Sequence, residues 1–303
     1  MELAIQSRGS WELVRDTALW VESHGLAAFA MPDHYVNRGG RSVPAHDQPT
    51  HLAALAAVTS TVELVSLMNP VTFRHPAVLY KIGVTIDEIS GGRFRLGLGA
   101  GWMDDEFQAY GIPYPPLKER MDLLEEAMAY LRAAITPGAV GFEGRHYRLE
   151  EFDPHPHPID LRLVMGGEAG PRSLSIALRY ADEYNLTLTD PDIFRRAREQ
   201  GREGLVEAGR SPDAIRWTAL GPGVAAVKES DYRRFLERMS QITGQTTERI
   251  EQVYREKKIP HGPGSQARDM LAELEAAGCE RYYIQIFGLT PSELDLLVEA
   301  YQG

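Results

Sequence analysis

Short apolar segments alternate with amphipathic helical segments along all 303 residues, and this alternation is the feature that most constrains the fold. Most of the apolar segments are near-continuous, as expected of parallel strands buried on both faces. The eight predicted strands are residues 2–5, 27–31, 62–67, 93–99, 162–165, 183–188, 215–221 and 281–287. Eight strand–helix units in a chain of this length predict an α/β fold of the (β/α)8 TIM-barrel type. A doubly wound sheet normally has fewer strands per domain.

The segments between the predicted strands carry helix start and stop signals. Ser10 is a candidate N-cap of the first helix, and Gly91 ends the helix before the fourth strand. We predict a single domain over residues 1–303 with long excursions near 136–160 and 222–264. The second excursion is predicted to contain an extra helical segment.

Composition and charge narrow the classes of function. The 43 acidic residues outnumber the 32 lysines and arginines, which gives a net charge of −11. This balance argues against nucleic acid as a partner, because phosphate binding needs a basic face. No apolar segment has the length of a membrane span, and no signal peptide is evident. Cys279 is the single cysteine, which excludes an intrachain disulfide and favours a cytoplasmic location.

A glycine-rich turn follows the fourth predicted strand, in the sequence Gly97-Leu-Gly99-Ala-Gly101-Trp102. A dinucleotide-binding GxGxxG motif would need its third glycine at position 102, where Trp stands. Bare backbone at the carboxyl end of a strand allows close approach of a flat or phosphorylated cofactor. Trp102 can line one face of a planar ring. The alternative is that these glycines only let a strand and a helix pack closely.

Three other predicted strands end in polar or glycine-rich turns. Asp33-His34 follows the second strand, at the end where barrel enzymes keep catalytic groups, and an imidazole can relay a proton near neutral pH. The alternative is a helix-capping Asp beside a surface His. Residues 66–70, SLMNP, form a turn that can present backbone amides to a ligand. Gly166-Gly167 precedes a helix predicted at 171–180, whose free amides attract phosphate, although an ordinary turn has the same pattern.

Two clusters superficially suggest a metal site. His155-Pro156-His157 lacks nearby acidic or cysteine ligands at the spacing of a tetrahedral site, and its alternating prolines indicate a stiff connector. The acids at 104–106 are better explained as the first turn of a helix. No metal site is therefore predicted. The chain also has no GxSxG, P-loop or HExxH motif, so hydrolase and kinase functions have no support.

The chain resembles the luciferase-like monooxygenase superfamily of flavin- and deazaflavin-dependent oxidoreductases along nearly its whole length. The resemblance is nearest to the branch that uses the deazaflavin coenzyme F-420. The segments that carry it are MPDHY (31–35), PVTFRHPAVL (70–79), ISGGRFRLGLGAGW (89–102), AYGIPYPPLKER (109–120) and GGEAGPRSLSIALRYADEYN (166–185). The resemblance implies a (β/α)8 barrel with a tricyclic ring at the carboxyl ends of its strands, a homodimer and a small organic substrate.

The resemblance also implies roles for individual residues. Asp33 and His34 match the pair that flanks the reactive face of the deazaflavin. Ser66-Leu67 matches the site of a non-prolyl cis peptide bond behind the ring. Gly166 and Gly167 match the amides that hold the cofactor phosphate. The residues that match the turn beside the ring and the following cofactor-facing strand are Asn69, Gly99, Ala100, Gly101, Trp102 and Asn185.

These assignments predict hydride transfer between C5 of coenzyme F-420 and the substrate, with His34 relaying the proton and Asp33 orienting the imidazole. Trp102 replaces an acidic proton donor of the sugar-phosphate dehydrogenases in this superfamily, so sugar-phosphate oxidation is not expected. An FMN-dependent monooxygenase that uses O2 and a flavin reductase is the alternative, because both cofactors fit glycine turns. A cofactor-binding protein without turnover is a third hypothesis. The loops expected to form the substrate pocket are 36–48, 136–160 and 222–264.

Overall fold

The computed structural model describes residues 1–37 and 44–302, so the loop predicted at 36–48 lies partly outside the described residues. The strands in chain order are β1 (Glu2–Gln6), β2 (Ala28–Met31), β3 (Glu63–Ser66), β4 (Asn69–Pro70), β5 (Phe94–Gly99), β6 (Phe142–Glu143), β7 (Arg148–Leu149), β8 (Arg162–Gly167), β9 (Glu183–Leu186), β10 (Arg216–Pro222), β11 (Val224–Ala226), β12 (His261–Pro263) and β13 (Arg281–Gln285). The helices are α1 (Trp11–Ser23), α2 (Gln48–Val58), α3 (Pro76–Ser90), α4 (Asp104–Tyr110), α5 (Leu117–Ile135), α6 (Pro171–Tyr180), α7 (Pro191–Glu207), α8 (Glu229–Thr243), α9 (Thr247–Glu256), α10 (Gln266–Ala276) and α11 (Pro291–Gln302).

Eight parallel strands close into a barrel, and each of them corresponds to one of the eight predicted strands. Their hydrogen-bonded order is β3-β2-β1-β13-β10-β9-β8-β5, and pairing between β3 and β5 closes the ring. Helices connect successive barrel strands, as right-handed parallel connections require. The prediction of a (β/α)8 barrel is confirmed. The rim formed by residues 32–35, 67–70, 99–102 and 166–170, which follow or end four of these strands, is called the mouth.

The alternation of side chains along each strand divides the core into two parts. Outward-facing residues such as Ile5, Phe29 and Leu64 pack beneath the helices in a large apolar cluster. The cluster inside the barrel is smaller and consists mainly of short side chains: Ala4, Ala28, Ala30, Val65, Leu67, Val164 and Tyr283. The interior of the barrel is therefore filled mainly by small side chains, with Tyr283 as the one large aromatic residue of this cluster.

Paired charges fill the opposite, amino-terminal end of the barrel. Arg281 donates from Nε to Glu2 at 2.7 Å, and its Nη1 lies 2.7 Å from a carboxylate oxygen of Glu63. Arg95 donates to the same Glu63 side chain at 3.0 Å. The Arg281 side chain is only 2% exposed, so its charge depends on these partners. The floor of the barrel is thus a network of ion pairs.

Local sequence signals are confirmed at several helix ends. The Ser10 side chain accepts a hydrogen bond from the Leu13 amide at the start of α1. Gly91 has a φ of 66°, in the left-handed region that glycine adopts without steric cost, and it ends α3. Within the residues that the structure covers, no helix is both long and apolar enough to cross a membrane.

Both excursions contain additional structure. Residues 136–160 include the antiparallel pair β6–β7, and residues 222–264 include α8, α9 and the parallel pair β11–β12. The second excursion therefore has two helices and a small sheet where a single helical segment was predicted. The assignment of the whole chain to one domain stays a prediction.

Candidate functional site

His34 lies at the mouth in the loop after β2, with 15% of its side chain exposed. Its Nδ1 is 3.1 and 3.3 Å from the two carboxylate oxygens of Glu106. Glu106 lies in the first turn of α4, is fully buried, and also accepts the Tyr35 amide at 2.9 Å. A carboxylate at Nδ1 fixes the orientation of an imidazole and leaves Nε2 to exchange a proton. The carboxylate that contacts His34 Nδ1 is therefore that of Glu106, and not that of the adjacent Asp33, to which the orienting role was assigned.

Asp33 belongs to a second polar arrangement at the mouth. Its buried carboxylate accepts a hydrogen bond from Arg74, whose guanidinium also donates to Tyr35 Oη at 2.9 Å, Asn69 Oδ1 at 3.3 Å and Asp47 Oδ1 at 2.5 Å. Burial raises the pKa of Asp33, and the Arg74 guanidinium opposes that shift. The second carboxylate oxygen of Asp33, Oδ1, is buried and has no hydrogen-bond partner among the described residues. Asp33 thus retains capacity to accept a hydrogen bond.

Ser66 and Asn69 are buried and bind each other. The Asn69 amide donates to Ser66 Oγ and to the Gly97 carbonyl, the latter at 3.0 Å. Ser66 Oγ donates to Gln48 Oε1 at 3.1 Å. These bonds join the carboxyl ends of β3 and β5 to the start of α2. The polar groups of the two side chains are therefore largely satisfied by each other, by Gln48 and by the Gly97 carbonyl.

A non-prolyl cis peptide bond joins Leu67 and Met68, one residue later than the predicted Ser66–Leu67 bond. The Leu67 amide donates to the Met31 carbonyl at 2.8 Å, so pairing with β2 continues through the Ser66–Leu67 peptide. The chain therefore leaves the strand only after Leu67. The Leu67 side chain is buried inside the barrel, below the mouth.

Three glycines accommodate the backbone and the methionine that follow β3. A Cβ at Gly97 would lie 2.0 Å from the Ser66 carbonyl oxygen and 2.6 Å from Met68 Sδ, so no side chain fits there. A Cβ at Gly99 would make only an ordinary contact, 3.6 Å from Met68 Cβ, and one at Gly166 would lie 3.1 Å from Met68 Cγ. Close packing explains Gly97. Gly99 and Gly166 are partly exposed and form bare backbone surface at the mouth.

Arg120 binds the backbone of the turn after β5. Its guanidinium donates to the carbonyls of Ala100, at 3.1 Å, and Gly101. Gly101 has a φ of 76°, which favours glycine. Trp102 is 58% exposed, and its ring meets the His34 ring edge-on, with centroids 5.7 Å apart. The turn therefore presents an exposed aromatic surface beside the imidazole.

The ends of β8 and β9 provide the remaining predicted residues. A Cβ at Gly167 would lie 2.5 Å from Tyr184 Oη, and that hydroxyl accepts the Ala169 amide at 3.2 Å. This contact fixes the backbone just before α6. Asn185 is 2% exposed, and its amide donates to Thr218 Oγ1 at 2.9 Å, so its side chain lies within the barrel.

A cavity of about 600 Å³ adjoins the mouth next to Arg74. Phe73, Tyr114 and Tyr147 contribute aromatic surface to it. Tyr147 belongs to the excursion at 136–160, which therefore reaches a cavity beside the mouth. The role of this excursion in forming the substrate pocket stays a prediction.

Sequence reasoning missed Glu106, Arg74 and Arg120. Glu106 was interpreted only as an acid in a first helical turn, although its position beside the apolar Phe107 was a signal that it faces inward. Arg74 had no comparable local signal, because its partner Asp33 is 41 positions earlier. Ion pairs between distant segments leave no periodic pattern in a sequence.

Comparison with known proteins gives the family. Residues 3–291 match the family model described as luciferase-like monooxygenase. The chain belongs to this family. Pyrimidine monooxygenase RutA of Stutzerimonas stutzeri is 31% identical over 169 residues, which are 53% of this chain and 46% of that relative. The F420-dependent glucose-6-phosphate dehydrogenase of Nakamurella multipartita is 28% identical over 209 residues, 66% of this chain and 60% of the relative. The matches thus span about half to three fifths of these relatives.

The fold of this luciferase-like family member is shared with solved structures. Monooxygenase RslO1 from Streptomyces bottropensis superposes with a TM-score of 0.83 at 20% identity, covering 99% of this chain and 97% of that one. The two relatives named above are described as a monooxygenase and a dehydrogenase, both of which are oxidoreductases. Members of the family use either coenzyme F-420 or FMN.

Proposed function

We propose that this family member is an oxidoreductase that uses coenzyme F-420 to transfer a hydride to or from a small organic substrate. The observation that carries the proposal is the His34 imidazole, which is held at Nδ1 by the buried Glu106 and lies edge-on to the exposed Trp102 at the mouth. An oriented, partly exposed imidazole beside an aromatic surface suits proton exchange next to a planar redox cofactor.

The residues at the mouth fit a flat, phosphorylated cofactor. Gly99 and Gly166 offer bare backbone on either side of Met68, where a planar ring can approach closely. Asp33 Oδ1 is a buried acceptor that lacks a partner within the described residues, and it suits a donor group of the cofactor. Gly167 and the amides before α6 would bind the phosphate.

The chemistry divides between cofactor and protein. When bound, the deazaflavin supplies a ring carbon that accepts or donates a hydride. His34 Nε2 would exchange the accompanying proton, and the Glu106 carboxylate would stabilise the imidazolium that forms. Trp102 would line the site and limit access of water. Because Trp102 also stands where an acidic donor is expected for sugar phosphates, we propose a different small organic substrate.

An FMN-dependent monooxygenase is the second candidate. The match to a pyrimidine monooxygenase at 31% identity favours it, and the same bare backbone would accept an isoalloxazine ring. This candidate requires O2 and a flavin reductase as partner. A homodimer is a further prediction under either candidate.

Titration of the purified chain with each cofactor separates these candidates. We expect coenzyme F-420 to bind in the micromolar range or tighter, and about tenfold or more tightly than FMN, which corresponds to about 1.4 kcal/mol. Absorbance or fluorescence of the cofactor provides the signal. Failure to bind F-420 would overturn the proposal, and retention of FMN with O2 consumption in the presence of a reductase would favour the monooxygenase.

The role of His34 is tested separately from binding. We expect His34→Ala to bind F-420 while its turnover falls about 100-fold or more, the range typical of a lost general acid–base group. His24→Ala serves as the control, because His24 lies at the end of α1 and contacts Trp20 and Asp295. Unchanged turnover in His34→Ala would remove the proton-exchange role.

A further inference from the structure

We propose that Asp153, His155 and His157 form a binding site for a divalent metal ion of the zinc class. The two imidazole Nε2 atoms lie 3.5 and 3.3 Å from Oδ2 of Asp153. The two imidazole rings are 4.4 Å apart between centroids, and one ligand atom from each of the three residues lies within 4.8 Å of the others. The site is in the excursion between α5 and β8 and shares no residue with those assigned to the cofactor.

The spacing of the ligand atoms matches a tetrahedral metal centre. Zinc binds His nitrogen at about 2.0–2.1 Å and carboxylate oxygen at about 2.0–2.2 Å. Two ligands at those lengths and a tetrahedral angle are about 3.3–3.5 Å apart, which follows from the same bond lengths. Both measured Nε2–Oδ2 distances are close to this value. An ion can therefore bind the carboxylate and either imidazole with little movement of those side chains.

The ligand set also selects the kind of ion. Two imidazoles and one carboxylate suit Zn²⁺, Co²⁺, Ni²⁺ or Cu²⁺, whereas Mg²⁺ and Ca²⁺ prefer oxygen ligands. Three protein ligands leave one tetrahedral position for water. The imidazoles are exposed to solvent, with 68% and 40% exposure for the side chains of His155 and His157, so the ion has an open path to the site.

The backbone that carries the ligands is held in place by α3. The Tyr80 hydroxyl bonds to the carbonyls of Pro154 and Pro156, each at 3.0 Å, and Lys81 Nζ donates to the His155 carbonyl. Tyr80 is 3% exposed, so this anchor is part of the core. Alternating prolines restrict φ along the same segment. A segment restrained in this way loses little conformational entropy when the ion binds.

A second contact orients the carboxylate. The Gly138 amide donates to Asp153 Oδ1 at 3.2 Å, which leaves Oδ2 facing both imidazoles. Metal-binding carboxylates commonly have such an outer hydrogen bond. Gly138 is near the start of the excursion and His157 is near its end. A bound ion would therefore stabilise the contact between the two ends of this segment. The sequence interpretation rejected a metal because no acidic ligand was recognised near the His pair, but Asp153 is two residues before it.

Metal titration of the untagged, chelator-treated full-length chain tests the proposal. We expect saturable binding of one Zn²⁺ per chain by calorimetry, and visible absorption typical of four-coordinate Co²⁺ when CoCl2 replaces ZnCl2. His157→Ala should weaken Zn²⁺ binding about tenfold or more, since even outer contacts of a metal site are worth 10–100-fold. Thermal unfolding without metal should be similar for this variant and the parent, because His157 is an exposed side chain.

His24→Ala is the matched control. His24 Nε2 also lies 3.5 Å from a carboxylate, that of Asp295, but the described residues place no second imidazole at this pair. This variant should bind Zn²⁺ like the parent chain. Absence of saturable Zn²⁺ binding, or Zn²⁺ binding equally strong in His157→Ala and His155→Ala, would overturn the proposal and leave the three side chains as ordinary ion pairs. Neither result bears on cofactor binding at the mouth.

Discussion

Replacement of Arg74 by Met tests how the buried charges at the mouth are balanced. The Arg74 guanidinium is the hydrogen-bond donor to the Asp33 carboxylate and bonds as well to Tyr35, Asn69 and Asp47. Asp33 is fully buried, and its Oδ1 already lacks a partner within the described part of the chain. Methionine preserves much of the apolar stem but removes every one of these donors. The substitution therefore leaves a buried carboxylate without its counter-charge.

The structure supports a large loss of unfolding free energy for Arg74→Met at neutral pH. Removal of one partner from a buried ion pair typically costs about 3–5 kcal/mol of unfolding free energy, because the remaining charge is uncompensated. The Arg74 side chain is 10% exposed and that of Asp33 0%, so little solvent screening reduces this figure. Asp47 is 44% exposed and keeps its bonds to Thr50, so it adds little to the cost.

The loss of unfolding free energy in Arg74→Met should grow as the pH rises. Burial already raises the pKa of Asp33, and loss of Arg74 raises it further. A carboxyl whose folded-state pKa is raised destabilises the protein above its unfolded pKa, since the folded state resists losing the proton. Below the folded pKa of the parent chain, Asp33 is protonated in both folded proteins and the variant loses only neutral hydrogen bonds. Above it, the penalty grows by about 1.4 kcal/mol per pH unit until the pKa of the variant is reached.

Urea unfolding followed by tryptophan fluorescence at several pH values measures this effect. Arg15→Met is the control, because the Arg15–Asp16 ion pair has side chains that are 39% and 50% exposed, and we expect its loss to cost less than about 1 kcal/mol of unfolding free energy. Adding Asp33→Asn to Arg74→Met should recover about 1–3 kcal/mol of unfolding free energy at neutral pH, which is within the range of interaction energies between residues in direct contact. A cost of Arg74→Met as small as that of the control, or one that is larger in acid, would refute the reasoning.

Three further substitutions and one labelling reaction test other contacts. Glu106→Gln should retain cofactor binding but lower turnover about tenfold or more, measured by steady-state kinetics, because the charge beside His34 Nδ1 is lost. Gly97→Ala should cost about 1–3 kcal/mol in urea unfolding, since its Cβ would overlap the Ser66 carbonyl, whereas Gly99→Ala should leave stability unchanged and weaken only cofactor binding. Cys279 is buried, which raises the pKa of its thiol to about 12, so a thiol reagent should label it only as the chain unfolds. Fast labelling of the native chain, a stable Gly97→Ala variant or normal turnover in Glu106→Gln would each contradict the corresponding contact.

The barrel could be predicted from the sequence because the signals that specify it are local. An apolar segment such as residues 93–99 identifies a buried strand by itself, and the terminal glycine at position 91 identifies the end of a helix without reference to its neighbours. Parallel strands then bring their carboxyl ends to one face of the barrel. The location of His34 and of the glycine turn at the mouth follows from that topology.

Partners at the site could not be predicted in the same way. His34 is oriented by Glu106, 72 positions later, and Asp33 is neutralised by Arg74, 41 positions later. An acid next to a histidine in sequence was the simpler choice of partner, and the structure shows that these two adjacent residues have different partners. The position of the cis bond also depended on pairing between β2 and β3, which a single segment does not reveal.

The sequence by itself determined the order of the barrel strands, their positions to within one or two residues, and the face on which a ligand is expected, because hydrophobic periodicity and glycine placement act over a few residues. Only the tertiary structure decided which carboxylate contacts the imidazole, which buried acid needs Arg74, and how Asp153 meets His155 and His157. The physical reason is that charge pairing depends on distances of a few ångströms between atoms. The folded backbone sets those distances, both between segments that are far apart in sequence and within a loop such as the one that carries Asp153.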